Sequence, residues 1–256
     1  MAAGTGPVIA PAPAVGAAPL NGGSRLTGVM AALATASSGS NINKPPVGSG
    51  VFLLQSGKYF VSEVKGTQIS AFKMLCLVGG TDAAGISHGT PHYTGPVPGE
   101  VYDVSFFIDM TPTKQKYLLD RMVGALQCCM GWDQAKTKLY QSTPDGLQKL
   151  SNLLIAMFCY DINTGQGTGQ ASCFSNQVVL QLNTKASRSA KKVNGQPVYD
   201  ATGAPVMSDY ENTYWEAKIP LADIHAALGD AGVIEAFGTA EAWAAAVQTE
   251  ANLATM

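Results

Sequence analysis

The sequence predicts a mainly β fold with inserted helices, of the α+β class, and three observations carry that assignment. Residues 101–109, Val-Tyr-Asp-Val-Ser-Phe-Phe-Ile-Asp, alternate with a period of two: Tyr102, Val104, Phe106 and Ile108 share one face, Asp103, Ser105 and Asp109 the other. The period becomes helical after Thr111-Pro112, where Leu118, Met122, Leu126 and Cys129 recur until Gly131. Alternation returns over residues 172–183, with Val178, Leu180 and Leu182 opposing Val179, Gln181 and Asn183.

The elements follow in order. Residues 1–50 are rich in Ala, Gly, Pro and Ser, hold no acid, and carry only Arg25 and Lys44 as charges. So few large apolar groups do not offset the entropy of folding, which predicts a disordered arm, either an inert leader or an assembly arm between subunits, with a short helix over residues 26–36 on a partner. From Val51 short β runs begin, and residues 58–65 and 71–78 read as adjacent strands on either side of Gly66-Thr67. A Gly- and Pro-rich loop leads to the strand over 101–109 and then to the first helix. A second helix starts near Thr143-Pro144-Asp145 and buries Leu147, Leu150, Leu154, Met157 and Phe158. Gly165–Gly169 ends the helical part.

After the fourth strand, residues 184–192 place Lys185, Arg188, Lys191 and Lys192 in nine positions without an acid. Turn signals follow at Asn194-Gly195 and Thr202-Gly203, so the segment reads as a projecting β-arm. The chain returns through residues 212–219, with Trp215, Ala217 and Ile219 facing the core and Tyr214, Glu216 and Lys218 facing outward. Residues 221–256 form an acidic, Ala-rich helical tail with Ile234, Phe237, Trp243 and Val247 as its apolar points. Three regions result: the arm 1–50, a domain over 51–220 and the tail 221–256.

The charge is partitioned along the chain. Residues 1–218 hold all sixteen basic residues against thirteen acids, net +3, whereas residues 219–256 hold five acids and no base, net −5. A basic body with an acidic end is expected of a protein that binds a polyanion and whose tail competes for that site or recruits partners. Strand-strand-strand, helices, then strand-arm-strand suits an OB-like barrel with helices between strands 3 and 4, an architecture that binds nucleic acid on its second and third strands and flanking loops. The candidate binding residues are Lys58, Lys65, Lys73, Lys185, Arg188, Lys191, Lys192 and Lys218 for phosphates, and Tyr199, Tyr210 and Tyr214 for stacking on bases. Phe60 and Phe72, beside these lysines, read as core positions.

Other chemistry finds little support. Five cysteines (Cys76, Cys128, Cys129, Cys159, Cys173), odd in number and without CxxC spacing, argue against a disulfide framework and a zinc ribbon. His88 and His92 have helical zinc spacing, but Gly89 and Pro91 oppose a helix there and no Glu follows His88. Gly165–Gly169 lacks the Gly-Lys-Ser/Thr of a phosphate loop, and nothing completes a site around Asp103 and Asp109. The reading is a non-enzyme with no cofactor, metal or catalytic residue. With no apolar window long enough to span a bilayer and no basic leader, the sequence predicts a soluble, cytoplasmic protein, in the host cell cytoplasm if viral, without a membrane partner.

Gly57-Lys-Tyr-Phe-Val-Ser-Glu-Val-Lys-Gly66, Gly99-Glu-Val-Tyr-Asp-Val-Ser-Phe-Phe-Ile-Asp109 with a helix after it, and Val178-Val-Leu-Gln-Leu-Asn-Thr-Lys185 before a basic arm and Tyr214-Trp215 resemble phage-type OB-fold single-stranded DNA-binding proteins. The likeness is one of layout over residues 50–220, and the acidic end adds to it. It implies a chain, encoded by a virus of bacteria, that coats single-stranded DNA in replication or recombination with little sequence preference. It also implies replication or recombination partners for residues 221–256, and homo-oligomers. The alternative from composition is a structural or assembly protein of a virus particle, since low charge, abundant Ala and Gly and an N-terminal arm suit subunits packed in a lattice.

Overall fold

Residues 48–82 build the centre of a sheet. β1 (Gly48–Val61) and β2 (Gln68–Asp82) pair antiparallel over their whole lengths, and β3 (Val101–Ile108) adds to the far side of β2. β6 (Val179–Ala190) pairs with the first half of β1, and β9 (Met207–Ile219) with β6, giving the order β3-β2-β1-β6-β9. The computed structural model describes residues 43–63, 65–193 and 196–255. The expected arm 1–50 and its helix over 26–36 therefore lie outside the described residues except for 43–50, and Asn194-Gly195 lies outside them entirely. β1 begins at Gly48, inside the segment read as arm, and Asn43 is already fixed to the edge of β3 through Asp103 and Val101.

Three helices connect β3 to β6: α1 (Pro112–Met130), α2 (Gln134–Gln141) and α3 (Pro144–Phe158). Pro112 opens α1, and Gly131 ends it in the left-handed conformation (φ 65°), where a side chain would be strained. α2 was not anticipated; Asp133 caps it by accepting from the Lys136 N–H at 2.7 Å. The small hairpins β4 (Tyr160–Asp161) with β5 (Gln166–Gly167), and β7 (Lys192–Val193) with β8 (Gln196–Pro197), complete the strands. α4 (Leu221–Phe237), broken at Gly229, and α5 (Ala240–Thr255) follow β9. Helices occupy as much of the described chain as strands, so the class is α+β with a five-stranded antiparallel sheet.

One sheet face buries Phe52, Leu54, Phe72, Met74, Val104, Phe106, Leu180 and Leu182 against Met122, Leu126, Leu154, Met157 and Phe158 of α1 and α3. Gly57 stands opposite Phe72, and any Cβ there would lie 2.7 Å from the Phe72 ring, so the tight crossing requires glycine. The outermost strands β3 and β9 form no backbone ladder among the described residues. Their inward side chains nevertheless meet: the Trp215 ring lies 5.9 Å from Phe106 and 5.5 Å from Phe72, and the Arg121 guanidinium stands 5.1 Å from the Phe106 ring. The sheet is thus strongly curled, and aromatic packing fills the seam where a closed barrel would carry hydrogen bonds.

Candidate nucleic-acid interface

The outer face of β1, β2 and β3 is set by register. Phe60, Ile69 and Phe107 lie directly across from one another, the next row is Lys58, Ala71 and Ser105, and the next is Ser56, Lys73 and Asp103. Phe107 is 54% exposed, and the Lys58 ammonium sits 5.9 Å from the Phe60 ring centre. This corrects the core position expected for Phe60. A register shift between Leu54 and Ser56 inserts an extra residue, so the inward positions run Phe52, Leu54, then Gly57 and Tyr59, and Phe60 turns outward. Phe72 is fully buried as expected, and Tyr59 packs inward on Tyr160 at 5.5 Å. Phe107 was overlooked, although an aromatic alternating with Asp103 and Ser105 on the polar face was the signal for it.

The lysines of this face differ in availability. Lys58 is exposed, and Lys65 is exposed in the turn joining β1 to β2 rather than within a strand. Lys73 is held by Asp103 at 2.6 Å, with the Asp103 carboxylate also accepting from the Asn43 N–H. Its charge is already neutralised.

β6 and β9 continue beyond the sheet as a two-stranded ribbon, the arm expected from the sequence. Alternation sets Lys185, Tyr214 and Tyr210 on one face, with the Lys185 ammonium 5.4 Å from the Tyr214 ring centre. Arg188 pairs with Asp209 across the ribbon at 3.2 Å, both largely solvated, so the pair is weak and open to exchange. Lys191 and Lys192 are exposed and have no ion-pair partner among the described residues. At the end of the arm Asp200 accepts from the Thr202 hydroxyl and N–H and from the Ala204 N–H, bonds that hold its carboxyl below the usual range and fix the turn beside exposed Tyr199. Tyr199, Tyr210 and Tyr214 are all about half exposed, as stacking requires.

Lys218 belongs elsewhere. β9 carries an extra residue at Glu216, since Gln181 faces Ala217 while Leu182 faces Trp215, and this bulge turns Lys218 inward opposite Leu180. Its side chain is 12% exposed and lies 3.6 Å from Glu250 of α5, whose carboxylate also accepts from the Leu221 N–H that opens α4. Lys218 is therefore a structural anchor for the two C-terminal helices and is removed from the binding set. Glu250→Ala leaves that ammonium and N–H without their acceptor, and urea unfolding should show a loss of about 1–3 kcal/mol.

The two clusters share one face of the sheet but sit at opposite ends of β1: Lys58 and Phe60 near its C-terminal end, the arm beyond Gly48, which pairs with Thr184. Ten residues of strand separate them by about 30 Å. No group of three or more metal-ligating side chains occurs among the described residues. His88 packs edge-on against Tyr93, Asp103 is taken by Lys73, and Asp109 is held down at about 2 by the Lys114 ammonium and the Thr111 hydroxyl. Burial pushes the thiols up, Cys76 and Cys128 to about 12 and Cys159 and Cys173 to about 11, which leaves none of these a ready nucleophile. No described helix is long and apolar enough to cross a membrane. No protein-family model and no curated protein sequence matches the chain.

Proposed function

We propose that the protein binds single-stranded DNA without strong sequence preference, on a partly open OB-type barrel, and coats it during replication or recombination. Five long strands with helices between the third and fourth suit that architecture, in which the second and third strands and the loops after the first and fourth meet the ligand. Here those parts are the Phe60–Phe107 face, the Lys65 turn and the arm. The observation that carries the reading is the arm itself: Lys185 over Tyr214, with Tyr210, Lys191 and Lys192 solvent-exposed. Ammonium groups track phosphates while the aromatic faces accept unpaired bases, which a duplex cannot offer. The role needs no covalent chemistry.

Fluorescence anisotropy of a labelled oligo-dT of about thirty nucleotides, across a salt series and with duplex competitor, tests this. The expected result is salt-sensitive binding that duplex does not displace. Absence of binding even at low salt would overturn it and put the virus-assembly reading first.

A further inference from the structure

An open cleft of about 750 Å³ lies at the end of the sheet where β3 runs into α1, and Phe107 belongs both to it and to the outer face of the sheet. Gln68, Met110, Thr111, Lys114 and Tyr160 form the rest of its relevant lining. The cleft is open to solvent and its lining is mixed, with Gln68, Thr111 and Lys114 beside Phe107 and Met110. Its one acid, Asp109, is paired with Lys114 at 2.6 Å and accepts from the Thr111 hydroxyl at 2.8 Å. Unlike the more buried Lys73–Asp103 pair, this one is solvated, with the Lys114 side chain 67% exposed, so a phosphate can exchange for the carboxylate. A flat aromatic ring bearing an anionic group matches this combination of an exposed ring, an amide and an ammonium.

We propose that the cleft is a nucleotide subsite: single-stranded DNA leaving the sheet face turns one unpaired base in beside Phe107, with Gln68 within reach of the base edge and Lys114 facing its phosphate. This rests on the single-strand-binding reading and extends its path past the residues that reading requires. The path does not end at the row Phe60–Ile69–Phe107 but continues over the start of α1.

Two measurements on the full chain test it. An oligo-dT of about thirty nucleotides carrying 5-iododeoxyuridine is irradiated in the complex and the crosslinked peptides are identified by mass spectrometry. Crosslinks are expected at Met110 or Tyr160, which belong to the cleft and not to the outer face of the sheet, as well as on the arm. In parallel, Lys114→Glu is compared with Lys138→Glu, the same charge change at an exposed position of α2 outside the cleft. Lys114→Glu should weaken binding about tenfold at low salt while Lys138→Glu leaves it near wild type, with both variants melting like wild type. Crosslinks confined to the arm and the Phe60–Phe107 face, or equal effects of the two variants, would overturn the cleft while leaving single-strand binding intact. Absence of binding by the wild type would instead remove the reading on which the cleft depends.

Discussion

Replacing Lys185, Lys191 and Lys192 together by Gln should lower affinity for single-stranded DNA about 100-fold at 0.1 M salt. Each phosphate contact on a single strand contributes roughly 0.7 to the slope of log K against log salt, so the six available cations Lys58, Lys65, Lys185, Arg188, Lys191 and Lys192 predict a slope of about −4, and the triple variant about −2. Arg188 is counted because its pair with Asp209 is solvated, whereas the lysines in more buried pairs are left out: Lys73 already has Asp103 and Lys218 has Glu250, so neither releases a counterion when DNA arrives. A phosphate contact at Lys114 in the cleft would bring the slope to about −5. A wild-type slope steeper than about −5 would mean that those pairs open on binding. Because the three replaced side chains are exposed on the arm, unfolding by urea should stay within about 0.5 kcal/mol of wild type. A variant that keeps wild-type affinity would place the DNA elsewhere than on the arm.

What the sequence made legible follows from periodicity. α1 starts at Pro112 and stops before Gly131 because proline and a left-handed glycine act locally, and Tyr102, Val104, Phe106 and Ile108 line the core because β3 is regular throughout. The arm was legible from four bases without an acid over residues 184–192, followed by turn signals at Asn194-Gly195 and Thr202-Gly203. Phe60 and Lys218 each lie just past a β-bulge, and Ala217 and Ile219, expected in the core, are turned outward with the second of these; Leu147, expected to be buried, is instead 50% exposed on α3. One extra residue near Ser56 reversed the sidedness of Phe60, and one at Glu216 reversed that of Lys218. Nothing in a period-two pattern announces such an insertion, since its cause is the fit of a distant partner strand. The acceptor for Lys218 comes from 32 residues further along, on a helix whose acids read as a surface tail. In the same way the seam between β3 and β9 depends on aromatic contacts between chain segments more than a hundred residues apart.

Phe60 and Phe72 read alike in the sequence and should behave oppositely when truncated. Phe72 is fully buried and meets Phe106, Phe158 and Trp215 edge-on with ring centres 6.0, 5.5 and 5.5 Å away, so it joins β2 to β3, α3 and β9 at once. Phe72→Ala leaves a cavity at that junction which surrounding rings cannot close, because Gly57 has no side chain to offer from the facing strand. Urea unfolding should show a loss of about 3–5 kcal/mol. Phe60 is partly exposed under the Lys58 ammonium, on the opposite face. Phe60→Ala should cost no more than about 1 kcal/mol in stability, yet weaken DNA binding by about 1–3 kcal/mol, the range for losing one base-stacking ring. A Phe60 variant that is severely destabilised would return that residue to the core and remove the outer face of β1 from the interface. A stable variant with undiminished affinity would confine the stacking surface to Phe107 and the tyrosines of the arm.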